Sequence, residues 1–274
     1  MIKHIIALIL LSWAFLPVDA QTPIIVAHRG ASKAAPENTL KAFHLAWEQG
    51  ADAIEGDFHL TKDGKIVCIH DGNTKRYTKK NLTVSQSTLQ ELRTLDVGIR
   101  LGEKFKETKI PTIGEVFATV PEGKKIYIEV KCGPKIIPTL LAEIKNSGLK
   151  NEQIIVISFK HQIIQILKSH APQFKAYWLS HIKKDKAGKL IPSITTVLKT
   201  LKDINADGFS SSKNCVAESY IQSIMKNGYE YHVWTVDDAM TATRIADWGA
   251  KSITTNVPGK MREYLTRQAP TLTP

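Results

Sequence analysis

Ala53-Ile54-Glu55-Gly56-Asp57-Phe58-His59-Leu60 sets two acids into a stretch that otherwise has the composition of a buried strand. Read as a strand, it points Glu55 and Asp57 one way and keeps Ile54 and Phe58 on or near the other face, because successive side chains alternate. Two carboxylates side by side repel each other unless a proton or a cation lies between them. The pattern returns in Ile126-Tyr127-Ile128-Glu129-Val130-Lys131, where Glu129 and Lys131 share one face of another apolar strand. Three acids and a lysine aimed from strand interiors are expensive as packing and sensible as an oxygen-ligand site for a hard cation. A buried salt-bridge network is the competing reading.

Outward from these two strands, short β-branched runs alternate with amphipathic ones. Ile24 to His28, Ala53 to Asp57, Ile126 to Lys131, Ile154 to Ser158, Ala206 to Ser210, Tyr231 to Val236 and Ser252 to Thr255 read as strands, with Lys175 to Leu179 a weaker candidate. Helical spacing runs over Leu40 to Gln49, Ile136 to Asn146, Gln162 to Ser169, Ile194 to Leu201, Ala217 to Asn227 and Ala239 to Trp248. The first of these has an N-cap candidate in Asn38 or Thr39, and three of them stop at Gly50, Gly228 and Gly249. Alternating strands and helices predict a parallel sheet with right-handed crossovers, and about eight units in about 250 residues predict a TIM-type (β/α)₈ barrel. No linker, repeat or composition break divides the chain, so one domain is expected over residues 21–274.

One stretch interrupts the alternation. Asp63-Gly64 between two strand-like runs is a strong hairpin signal. Taken as a two-residue turn, it pairs Lys62 with Lys65 and Asp57 with His70, folding a histidine back onto the acids. Counting Ile66 to His70, there is one strand too many for an eight-stranded barrel. Residues 71–125 are a second irregularity, with helical signal only at Thr88 to Leu95 and Ile113 to Val120. An insertion of that length is expected to cover the C-terminal mouth of the barrel.

The first twenty residues have the layout of a signal peptide: Lys3, an apolar run from Ile5 to Leu16, and Val18-Asp19-Ala20 before Gln21. The run is shorter than the roughly 20 residues that span a bilayer. An exported, periplasmic or secreted protein is therefore expected. The formal net charge of +11 would attract phosphate-bearing solutes or anionic envelope surfaces. The lysines are scattered and accompany no nucleic-acid-binding motif, and Lys183-Lys184-Asp185-Lys186 reads as a solvated loop. Cys68, Cys132 and Cys215, an odd number without regular spacing, do not form a disulfide framework; Cys68 and Cys132, each beside a motif at a strand end, read as small buried hydrophobes, with a Cys68–Cys132 bridge as the lesser alternative.

At the end of the first strand, Val26-Ala27 run into His28-Arg29-Gly30, followed by Pro36-Glu37-Asn38-Thr39. Side chains at strand C-termini face substrate in a barrel, and the planar guanidinium of Arg29 suits phosphate. With these elements the sequence resembles the glycerophosphodiester phosphodiesterases. Glu55-x-Asp57, Leu60-Thr61-Lys62-Asp63-Gly64, His70-Asp71, Ile128-Glu129-Val130-Lys131, Ser158-Phe159, Trp234-Thr235-Val236 and Thr254-Thr255-Asn256-x-Pro258 extend the resemblance in family order. A single element would mean little; the ordered set is specific and spans nearly all of residues 21–274. Gly259 departs from it, standing where members often carry an acid.

The resemblance implies a TIM-type barrel that hydrolyses glycerophosphodiesters to sn-glycerol 3-phosphate and an alcohol, with a divalent cation, Mg²⁺ or Ca²⁺. Carried over position by position, it implies that Glu55, Asp57 and Glu129 hold the metal and that His28 and His70 form the acid–base pair. Arg29 and Lys131 would neutralise phosphoryl oxygens, and Trp234 would wall the glycerol moiety. Asn256 and Glu37 would brace the loops. His44, His161, His170, His181 and His232 sit in no motif and read as structural or exposed, and His59 would reach the edge of the site at most. Two other readings compete: a sphingomyelinase D-like lipid phosphodiesterase, and a periplasmic solute-binding protein, which would need two lobes and has no use for three converging acids.

Overall fold

The computed structural model describes residues 22–266, so the expected leader at 1–20 lies outside the described residues. Along the chain, β1 (Ile24–His28), α1 (Leu40–Glu48), β2 (Ala53–Leu60) and β3 (Ile66–Cys68) precede α2 (Leu89–Arg93) and α3 (Ile113–Phe117). Then come β4 (Lys125–Val130), α4 (Ile137–Asn146), β5 (Ile154–Ser158), α5 (His161–His170), β6 (Lys175–Ser180) and the short strands β7 (Lys183–Lys184) and β8 (Leu190–Ile191). The chain continues through α6 (Ile194–Asp203), β9 (Gly208–Ser212), α7 (Glu218–Lys226), β10 (Glu230–Trp234), α8 (Ala239–Asp247), β11 (Ser252–Thr255) and α9 (Pro258–Thr266).

Eight strands pair in parallel in the order β1-β2-β4-β5-β6-β9-β10-β11, and β11 returns to β1, closing the barrel. Period-two alternation divides their side chains between two layers. Ile54, Phe58, Ile126, Ile128 and Val156 face outward into the main core, packed with Phe43 of α1 and Leu140 of α4. Val26, Ala53, Tyr127, Ile155, Tyr177 and Leu179 fill the interior. On β2 and β4, Glu55, Asp57 and Glu129 take inward positions beyond this apolar layer toward the C-terminal ends, so the apolar plug gives way to charge at one mouth. A single closed ring leaves no pair of lobes for a solute-binding protein to close.

The supernumerary strand is β3, antiparallel to β2 and outside the barrel ring. The hairpin register differs from expectation by one residue. Thr61 and Lys65 close a three-residue loop: Thr61 N–H donates to the Lys65 carbonyl at 2.8 Å, and the Thr61 hydroxyl accepts from Lys65 N–H at 2.9 Å. Gly64 takes the left-handed conformation that such loops require, at φ +74°. Phe58 therefore pairs with Cys68, and the Asp57 carbonyl accepts from Ile69, not His70. The insertion after β3 builds a small core of its own from Val67, Ile69, Tyr77, Val84, Leu92, Val97 and Ile110. Thr88 and Thr112 start its two short helices with capping boxes. The Lys183–Lys189 stretch forms an exposed hairpin, β7–β8. Of the three free cysteines only Cys68 is fully buried, and Cys215 is exposed.

Thr39, one of the two candidate caps, accepts from Ala42 N–H to start α1. The turn before it depends on Gly30, whose φ is +79° and where a Cβ would meet the Ala42 carbonyl carbon at 2.5 Å. Gly30→Ala combines a left-handed alanine with a backbone collision, each costing about 1–3 kcal/mol. A melting temperature lower by roughly 5–10 °C is expected in calorimetry; an unchanged midpoint would mean that the turn relaxes freely.

Candidate active site

Strand register alone assembles the centre. In the parallel ladder His28 of β1 is paired with Glu55 of β2, and Asp57 of β2 with Glu129 of β4. Carboxylate oxygens of Glu55, Asp57 and Glu129 lie within 4.8 Å of one another, and all three residues are buried. Burial, then the charges of Asp57 and Glu129, push the Glu55 carboxyl well above the usual range. Burial and Asp57 likewise raise Glu129, to about 7, against the pull of Lys131. Asp57 goes the other way. Burial opposes its ionisation, but Arg29 and then Lys131 outweigh it and hold the carboxyl below its ordinary value. Arg29 Nε lies 3.1 Å from Asp57 Oδ2, and Lys131 Nζ lies 2.7 Å from Glu129 Oε1 and 3.4 Å from Asp57 Oδ1.

Two cations therefore face three carboxylates. Glu55 Oε1 is buried without a hydrogen-bond partner, and Asp57 Oδ1, also without one, has the longer 3.4 Å ion-pair contact with Lys131 Nζ. An oxygen-only donor set with excess negative charge and orphaned, converging oxygens fits a hard divalent cation.

The loop between β1 and α1 orients Arg29 through unusual backbone. Arg29 and Asn38 both have left-handed φ, +57° and +58°. In this conformation Arg29 N–H donates to Glu55 Oε2 at 2.9 Å while its guanidinium reaches Asp57 and Glu37. Asn38 clamps Asp57, donating from Nδ2 to Oδ2 at 2.8 Å and accepting from the Asp57 N–H at 3.1 Å. Strain held by so many contacts is typical of a functional loop. Glu37 ties this loop to the insertion, accepting from Arg29, Arg76 and Tyr77.

The two histidines have different partners. The Asp237 carboxylate can only accept, so it fixes the Asn256 amide: Nδ2 donates to Asp237 at 2.7 Å, leaving Oδ1 toward His28 Nδ1, also at 2.7 Å. His28 Nδ1 must then carry the proton, and Nε2 keeps its lone pair. Burial first and then Arg29 lower the His28 pKa despite Asn256, so the ring is neutral around pH 7. His70 Nδ1 instead faces the Asp71 carboxylate at 2.7 Å, which Arg76 also holds at 2.9 Å. The carboxylate thus fixes the orientation of the His70 ring.

These groups border a cavity of about 420 Å³ at the C-terminal mouth, lined by His28, Arg29, Glu55, His70, Glu129, Lys131 and Trp234 among others. Asp57 lies behind that wall. His70 reaches the cavity although it does not pair with Asp57, because the chain leaves the strand after Cys68. His181 and Phe159, which stack at 5.4 Å, form an aromatic side with Trp234, whose ring is edge-on to both. His181 is exposed, one of the two expected alternatives, and it also forms a wall of the cavity. Its signal was its place directly after β6, as Phe159 directly follows β5. His232 is buried in the barrel floor, stacked on Tyr177 at 3.9 Å with Nδ1 2.7 Å from Ser252 Oγ. His59 stays outside the wall, with Nε2 3.1 Å from the His70 carbonyl. Asn38 and Asp237 were missed as functional residues; no local pattern announces a side chain that acts only through a distant partner.

Comparison with known proteins bears on the fold and the family. A 35% identical "Glycerophosphodiester phosphodiesterase" from Caldanaerobacter subterraneus aligns over 242 residues, 86% of this chain and 94% of its own length. A solved glycerophosphodiester phosphodiesterase from Agrobacterium tumefaciens superposes with a TM-score of 0.74 at 26% identity, covering 88% of this chain and 99% of its own. An Oleispira antarctica phosphodiesterase solved with the product sn-glycerol-3-phosphate shares the fold at a TM-score of 0.81, with 23% identity over 89% of this chain and 97% of its own. The family model described as "Glycerophosphoryl diester phosphodiesterase family" matches residues 28–260. The chain belongs to that family, whose members are phosphoric diester hydrolases.

Proposed function

We propose that this protein hydrolyses glycerophosphodiesters to sn-glycerol 3-phosphate and an alcohol with the help of a divalent cation, Mg²⁺ or Ca²⁺. The observation that carries the reading is the meeting of Glu55, Asp57 and Glu129 in one buried cluster bordered by His28 and His70. Glu55, Asp57 and Glu129 would hold the ion, which when bound supplies positive charge to the phosphoryl oxygens. Arg29 and Lys131 complete that charge at the cavity wall.

His28, with its Nε2 lone pair toward the cavity, accepts the proton of the attacking hydroxyl. His70, backed by Asp71, gives a proton to the oxygen of the departing alcohol, so the P–O bond breaks without releasing an alkoxide. The nucleophile is water or the glycerol hydroxyl of the substrate, and both routes use the same base; the second passes through a cyclic phosphate. Trp234, with Phe159 and His181, forms the apolar side against which the glycerol moiety rests. Export is part of the same proposal, placing the activity in breakdown of phospholipid-derived diesters outside the cytoplasm.

Incubation with glycerophosphocholine and product analysis test the reading. Glycerol 3-phosphate plus choline is expected. Choline phosphate or no turnover of any glycerophosphodiester would sink the proposal.

A further inference from the structure

One face of the barrel carries the net charge. The strand-to-helix segments 29–39, 61–112, 131–136, 159–160, 181–193, 213–217, 235–238 and 256–257 hold 21 Lys and Arg against 10 Asp and Glu, a net of +11. That equals the formal net charge of the whole chain. The helix-to-strand segments 49–52, 118–124, 147–153, 171–174, 204–207, 227–229 and 248–251 hold 3 against 4. The two sets of segments emerge at opposite ends of a parallel barrel, and the cationic end is the one with the cavity.

The same end exposes apolar side chains. Of the large hydrophobic residues exposed among the described residues, Ile99 (38%), Leu101 (49%), Phe159 (38%) and Ile191 (46%) all lie on it, whereas Met225 and Met240 sit on helices. They occupy two rims. Leu101 borders a cleft shared with Ser32, Pro36 and Glu37, which seats the Ile99–Leu101 turn beside the β1 end, next to Lys104 and Lys106. Ile191 pairs with Lys183 in the β7–β8 hairpin, which follows β6, four strands around the ring of eight from β1. Each rim thus presents an exposed apolar knob among lysines, with the cavity mouth and Phe159 between them.

We propose that this face seats on an anionic phospholipid bilayer, lysines against headgroup phosphates and Ile99, Leu101 and Ile191 at the acyl boundary, with the cavity opening onto the lipid surface. Steering of small anions explains the charge but gives no role to isoleucine and leucine knobs at opposite rims. A basic surface with interspersed apolar side chains is the composition of interfacial binders. This inference concerns where the protein sits and does not rest on the proposed reaction.

Co-sedimentation of the purified protein with phosphatidylcholine vesicles, with and without roughly 30% phosphatidylglycerol, tests it. Binding at least about tenfold tighter to the anionic vesicles is expected, as is a loss of about tenfold or more in Ile99→Ser/Leu101→Ser and in Lys183→Glu/Lys184→Glu. Lys124→Glu/Lys150→Glu, on the opposite face, should bind as the parent does. Turnover of soluble glycerophosphocholine should be the same in all four proteins, which separates a failure to dock from a failure of folding or of the reaction. Absent binding, or equal binding to both vesicle types, would overturn the proposal. So would tight binding by Ile99→Ser/Leu101→Ser, which would assign the charge to steering of soluble phosphates.

Discussion

Removing divalent cations from this protein with excess chelator is expected to lower glycerophosphodiester turnover by about 10³-fold or more, and added Mg²⁺ or Ca²⁺ should restore it. The effect follows from charge. Three buried acids face only Arg29 and Lys131, and two of the acids are raised by burial and mutual repulsion. A cation relieves that repulsion in the folded state alone, so it should also stabilise the fold by about 2.7 kcal/mol at a hundredfold excess over its dissociation constant. Asp57→Asn keeps size and an oxygen while losing a charge, and should weaken metal affinity more than it harms folding.

The pH dependence of the metal-free protein has a definite sign. Glu55 and Glu129 have folded pKa values above their unfolded ones, so keeping them ionised in the folded state is unfavourable. Their destabilising effect begins as pH rises past the ordinary carboxylate range and for Glu129 is complete above about 7. The melting temperature in chelator should therefore rise as pH is lowered from about 7.5 to about 5. Asp57, held below its ordinary value, works in the opposite sense, and its stabilisation is lost only on further acidification. Saturating cation should flatten the neutral part of this profile. Full activity in excess chelator, with no melting shift on adding either ion, would return the acids to a structural network with Arg29 and Lys131.

His28→Ala and His70→Ala should each reduce kcat by about 10²–10⁴-fold with little change in KM. The double variant should lose far less than the product, because the residues act as a unit. The different environments of the two rings give each variant its own signature. A substrate with a strongly acidic leaving alcohol needs no proton at the departing oxygen, so it should rescue His70→Ala and leave His28→Ala impaired. Because burial and Arg29 lower the His28 pKa, the acidic limb of the parent's pH–rate profile should fall below about 6.5, the ordinary histidine value. Equal rescue of both variants would refute the division of roles, and near-normal activity in His28→Ala would make that residue structural.

The parts of this protein legible in its sequence are those governed by local periodicity. Alternation over Ala53–Leu60 and Lys125–Val130 put Glu55, Asp57 and Glu129 on inward faces, because a strand has no other way to bury Ile54, Phe58, Ile126 and Ile128. Repetition of strand and helix implied a parallel barrel, whose strand ends point His28, Lys131 and Trp234 at one mouth. The hairpin register lay at the edge of this legibility. Asp63-Gly64 marks a turn, but the Thr61 hydroxyl closes a loop one residue longer, and each cross-strand partner moves by one position.

Other features were settled only by tertiary structure, since they join residues far apart in the chain. The tautomer of His28 depends on Asn256 and Asp237, more than 200 residues away, and the setting of Arg29 depends on Glu37 reaching Arg76 and Tyr77 in the insertion. The concentration of charge on one face is of the same kind. Scattered lysines carry no pattern along the chain; they become a surface only when barrel closure brings every strand-to-helix segment to the same end.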